Sequence, residues 1–198
     1  MHCQNAMVTN DVSDIIIPKK VYDNSNSEFI VDQILANAFC QNNFIRSVFI
    51  PNSIKIIQGA AFYGCIMLSN ITFEENSQLQ SLHTYSFSSL PKLEMMILPG
   101  SVNDMQERSF SNTASPHFVY CGINHLDFEK AFLDTSTVHR IYLLSGYQQY
   151  TDSDIFKYFY SIQCYSNLSS KLVGFFCPTL SNTAYVFNFI YFHVFVLI

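Results

Sequence analysis

A chain of 198 residues holds one domain, or one domain with a tail. Hydrophobic residues make up 49% and charged residues only 13%, so a sizeable core is available and the solvated fraction is short. Ten basic against fifteen acidic residues, a net charge of −5, give no electrostatic footprint for a nucleic acid. Nineteen Phe and twelve Tyr with no Trp suggest one template used repeatedly.

The first eleven residues, MHCQNAMVTND, have neither a basic n-region nor an apolar h-region. No cleavable signal peptide is expected there, and residues 1–11 are read as an N-terminal remnant. The segment Val12-x-x-Ile15-x-Ile17-Pro18 then has the form of a short strand closed by proline. Residues 19–28, from Lys19 to Glu28, are a polar insertion, expected as a loop on one face.

From residue 31 the chain is periodic. Phe39, Phe62, Phe87, Phe110 and Phe132 each follow a small residue, at spacings of 23, 25, 23 and 22. Five residues before the first four anchors stand Ile34, Ile57, Leu82 and Met105; eight before them stand Val31, Ile54, Leu79 and Val102. The fifth unit breaks this part of the pattern, with Asp127 and Asn124. After each anchor an apolar triplet recurs at +6, +9 and +11: Ile45, Val48, Ile50; Leu68, Ile71, Phe73; Leu93, Met96, Leu98. The fifth unit repeats it as Val138, Ile141 and Leu143, whereas the fourth is imperfect, with Pro116, Val119 and Cys121.

L-x-x-L-x-L is a strand whose alternate residues point inward, and Leu68-x-x-Ile71-x-Phe73-x-x-Asn76 follows the leucine-rich consensus through its Asn. One such unit cannot bury its apolar face, but stacked units share a continuous core. The fold expected is a leucine-rich-repeat solenoid over residues 12–150. It has one short strand per repeat of 22–25 residues, with turns or short helical or extended segments on the convex side. The anchor phenylalanines are its structural core.

After Tyr147 the period fails, because a sixth anchor at Phe156 would put Asn167 in a core slot. Residues 151–198 are therefore read as an aromatic, apolar tail. Residues 172–198 carry no charge, which makes them a borderline membrane segment. The last fourteen residues as a helix would span about 21 Å against a hydrocarbon core of about 30 Å. An edge strand along the stack or an aggregation-prone end suits the same composition.

Candidate chemistry is sparse. The six histidines show no H-x-x-x-H spacing, and no G-x-S-x-G, P-loop or G-x-G-x-x-G motif occurs. No metal, cofactor or catalytic residue is expected. Asp152-Ser153-Asp154 reads as a solvated loop, and Cys65 as core packing. The six cysteines are far apart without a C-x-x-C pair and read as free, buried, small apolar residues, which leaves the redox compartment open. Asn70-Ile71-Thr72 and Asn167-Leu168-Ser169 fit the glycosylation sequon.

If +6, +9 and +11 point inward, +8 and +10 project from the strand face. These are Ser47, Asn70, Met95 and Phe118, and Phe49, Thr72, Ile97 and Tyr120. Five of the eight are apolar or aromatic with no structural need, as in an interaction surface.

The run Ile50-Pro51-Asn52-Ser53-Ile54…Ala61-Phe62-Tyr63-Gly64-Cys65…Leu68…Ile71 resembles the BspA-like leucine-rich repeat. Phe73-Glu74-Glu75-Asn76-Ser77-Gln78-Leu79-Gln80-Ser81-Leu82 resembles a variant found in BspA-like surface antigens of protozoan parasites. Val119-Tyr120-Cys121-Gly122 with residues 138–147 resembles the closing segment of such arrays. The resemblance covers roughly residues 12–150. It implies a surface or secreted adhesion module that binds a protein or cell-surface ligand, without an active site, displayed at the cell surface or membrane. The alternative is an intracellular scaffold or a truncated repeat fragment.

Overall fold

The structure, a computed structural model, describes residues 12–114, 117–135, 140–144 and 161–165. Strand β1 (Asp14–Ile16) is followed by a hairpin of β2 (Lys20–Tyr22) and β3 (Glu28–Ile30). The chain then alternates between two walls: β4 (Gln33–Ile34), β5 (Ser47–Ile50), β6 (Ile56–Ile57), β7 (Asn70–Phe73), β8 (Ser81–Leu82), β9 (Met95–Leu98), β10 (Asp104–Met105) and β11 (His117–Tyr120). It continues through the short helix α1 (Phe128–Ala131), β12 (Arg140–Leu144) and β13 (Ser161–Tyr165).

The +8 to +11 segments form one wall. β1, β5 and β7 pair in parallel, as do β9, β11, β12 and β13, with Ile15 level with Val48 and Val48 level with Ile71. The hydrogen-bonded ladder stops between β7 and β9, which lie side by side. The short strands β4, β6, β8 and β10 build the opposite parallel wall, placing Ile34, Ile57, Leu82 and Met105 inside. This is a leucine-rich-repeat solenoid with its core between the walls.

The anchor phenylalanines sit at the bend between the walls and stack ring on ring. Centroids are 5.0 Å apart from Phe39 to Phe62, 5.2 Å from Phe62 to Phe87, 5.6 Å from Phe87 to Phe110 and 5.3 Å from Phe110 to Phe132. Backbone hydrogen bonds tie each bend to the next: Phe39 N donates to Ala61 O, Phe62 N to Ser86 O, Phe87 N to Ser109 O and Phe110 N to Ala131 O. The bend is tight enough to need left-handed residues two before and two after the anchor. Asn37, Ala60, Tyr85 and Arg108 precede it at φ 54 to 60°, and Gln41, Gly64, Ser89, Asn112 and Asp134 follow it at φ 53 to 68°. Only Gly64 adopts that region without a steric penalty.

Several expectations are corrected. The insertion at 19–28 is an antiparallel hairpin rather than a loop, with Val21 opposite Phe29. Its turn is held by the Asp23 carboxylate, which accepts from Ser25 N and Ser27 N at 2.8 Å each. In the fifth unit α1 replaces the short strand: the Asp127 side chain accepts from Lys130 N at 2.9 Å, and Leu126 and Phe128 enter the core. The parallel ladder continues past residue 150, where the array was expected to end, because β13 pairs with β12. Residues 1–11, Asp152-Ser153-Asp154, the Asn167 sequon and the segment 172–198 lie outside the described residues.

Candidate functional site: the outward row of the strand wall

Strand alternation turns every second side chain of the long wall away from the core. In β5, β7 and β9, Val48, Ile50, Ile71, Phe73, Met96 and Leu98 are buried. The intervening residues form two outward rows. One runs Asp14, Ser47, Asn70, Met95 and His117; the other runs Ile16, Phe49, Thr72, Ile97 and Val119. Asn70, Thr72 and Met95 are exposed, and Ser47, Phe49 and Ile97 half-buried.

Phe118 and Tyr120 are not on this face. Phe118 is level with Met96 and Tyr120 with Leu98, and both are fully buried. The fourth unit reaches its strand one residue sooner after the anchor, at Phe110, than the units before it. A slip of one residue exchanges the faces. Phe118 then meets Phe110, Phe128 and Phe132 edge-on, with centroids 5.1 to 5.7 Å away. The Tyr120 hydroxyl donates to Val102 O at 2.8 Å, and Asn124 Nδ2 donates to the same carbonyl at 3.0 Å. A Cβ at Gly122 would collide with the Tyr120 ring and would lie 2.6 Å from Gly100 O, so this inward tyrosine requires glycine there. His117 and Val119 take the outward places. Val119 is fully buried, so the open stretch of its row ends before β11.

The open stretch mixes polar and apolar groups along its length, with Ile16 exposed beside Asp14 at one end. The Asp14 carboxylate accepts from the Ser47 hydroxyl and, at 2.8 Å, from the Ser13 hydroxyl. Those two hydrogen bonds, with Arg46 nearby, hold its carboxyl below the usual range. Beyond Asn70 and Thr72 come Met95 and Ile97, with Phe49 beside Thr72. The surface offers apolar side chains flanked by amide and hydroxyl groups.

The cysteines divide. Cys65 is free and buried, as expected: its thiol donates to Phe39 O at 3.0 Å, and burial pushes its pKa up to about 12, which leaves it unreactive. Cys40 and Cys121 are each disulfide-bonded, which corrects the expectation of free thiols. Cysteines scattered singly along a sequence do not reveal which of them pair, so the bonding is not readable there. Among the described residues no three potential ligands converge on a metal site, and no helix is long and apolar enough to cross a membrane.

Stacked parallel strands, a phenylalanine ladder and a bare outward row define a leucine-rich-repeat protein. The profile of the BspA type leucine rich repeat region matches in six copies over residues 32–163, two-thirds of the chain, and the chain belongs to that family. Among solved structures it is similar to a leucine-rich repeat protein from Bacteroides capillosus, at 22% identity and a TM-score of 0.47, over 67% of this chain and 77% of that one. It is also similar to the pneumococcal vaccine antigen PcpA, at 24% identity and a TM-score of 0.59, over 69% of this chain and 36% of that one. No curated protein matches it.

Proposed function

We propose that the chain is a protein-binding module of a cell-surface or secreted protein, and that it engages a protein or cell-surface ligand through the outward row of β5, β7 and β9. The observation that carries this reading is the exposure of Met95 (38%) on that row, together with the half-exposed Phe49 and Ile97. The core does not use these side chains, and clustered exposed apolar groups beside polar ones are the make-up of an interaction surface. The disulfides at Cys40 and Cys121 support an oxidising location, since such bonds persist in secreted and surface proteins.

The test is adhesion of the purified chain to host cells and matrix proteins, compared with a Phe49→Ser, Met95→Ser, Ile97→Ser variant. The reading expects at least a tenfold loss of binding, with the circular dichroism spectrum and melting temperature nearly unchanged. Equal binding by the two folded proteins would refute it.

A further inference from the structure

We propose that Asn70 is an acceptor for an N-linked glycan. Asn70-Ile71-Thr72 occupies β7, and alternation puts the amide and the hydroxyl on the same outward side with Ile71 buried between them. Both Asn70 and Thr72 are exposed, and among the described residues neither side chain makes a hydrogen bond. β7 also ends a hydrogen-bonded ladder, because its neighbour β9 belongs to the next one. An asparagine pointing into the core would bar folding once modified; this one carries a glycan out into solvent.

A second observation agrees with a location where such transfer occurs. Cys40 and Cys121 are disulfide-bonded, and such bonds are characteristic of oxidising compartments, the lumen of the secretory pathway among them. The co-reactant is an oligosaccharide linked to a lipid diphosphate. Asn70 Nδ2 forms a bond to the anomeric carbon of the first sugar, and the bond from that carbon to the diphosphate oxygen breaks. The lipid diphosphate leaves with the electron pair, the amide gives up one proton to a base, and no group is oxidised or reduced. Transfer takes place on the extended chain, before β5 and β7 pair.

The position has a consequence. Adjacent strands lie about 4.8 Å apart. A sugar on Asn70 therefore overhangs Ser47 in the paired strand and narrows the approach that a partner has to the row. This consequence rests on the binding reading above; the modification itself does not.

The experiment expresses the full chain behind an export leader in a eukaryotic cell. The secreted protein is treated with a peptide amidase in heavy-oxygen water, and its tryptic peptides are weighed. Asn70 is expected to appear as labelled aspartate. The label should vanish in Asn70→Gln and Thr72→Ala, persist in Thr72→Ser, and be unaffected by Asn167→Gln. Thiol alkylation of the same sample reports whether Cys40 and Cys121 are oxidised. An unlabelled Asn70 in an oxidised, secreted chain overturns the proposal, as does label confined to Asn167. Label at Asn70 supports the proposal whatever the cysteine state, and reduced cysteines in the secreted chain would overturn only the oxidising-location argument. None of these readouts depends on ligand binding, so the binding reading stands or falls separately.

Discussion

Alanine precedes the anchor phenylalanine in three units, at Ala38, Ala61 and Ala131, and serine in two, at Ser86 and Ser109. The hydroxyls of Ser86 and Ser109 are buried without a hydrogen-bond partner. A buried hydroxyl that bonds to nothing costs about 1–3 kcal/mol. Ser86→Ala and Ser109→Ala should therefore each stabilise the fold by about 1 kcal/mol, read as a raised melting temperature; a lowered one would mean the hydroxyls are satisfied. The anchors behave oppositely. Phe87 is fully buried and stacks on both Phe62 and Phe110, so Phe87→Ala should cost about 3–5 kcal/mol through the cavity it leaves. An unchanged denaturant midpoint would contradict the ladder. At this scale the sequence was legible wherever small-residue–Phe pairs and apolar triplets repeated. It was illegible for the left-handed residues, because Tyr85 and Arg108 carry no local mark of a positive φ.

Strand identity and register were readable for as long as the spacing from anchor to strand stayed constant. The outward rows of β5, β7 and β9 follow from alternation alone. The fourth unit departs because His117-Phe118-Val119-Tyr120 has apolar residues on both rows, so alternation there does not choose a face. Only the polar His117 hinted at the outward side. The hairpin β2–β3 escaped notice because its polar residues suit a loop equally well; one ion pair lies across it and a second ties its base to the segment after β7. Lys20 Nζ meets Glu28 at 2.6 Å, and Lys19 Nζ meets Glu74 at 2.7 Å. The Lys20 ammonium beside Glu28, and Lys19 beside Glu74, hold both carboxyls below their ordinary value of 4.5. A depressed carboxylate contributes stability that is complete above its unfolded value and lost as pH falls through the folded one. Both pairs are largely exposed, so the contribution is small. Amide protection in β2 and β3, corrected for intrinsic exchange, should fall as pH drops below the ordinary carboxyl value of 4.5, while β6 and β8 hold theirs. A uniform loss across all four would contradict this assignment.

Across the whole molecule, stability is a sum of units and of the interfaces between them. That architecture frees the outward row of β5, β7 and β9, because the buried residues of those strands stand at the alternate positions. It also makes an inward change dangerous, since each buried side chain serves two neighbouring units. Met95 and Met96 expose the contrast most cleanly: the same residue type stands side by side in β9, one 38% exposed and the other fully buried. The decisive measurement is the denaturant midpoint of Met95→Asp beside that of Met96→Asp. The outward substitution should change stability by no more than about 0.5 kcal/mol, whereas a carboxylate at the inward position should cost more than about 4 kcal/mol and unfold the array. Equal losses in the two variants, or the larger loss at Met95, would contradict the account.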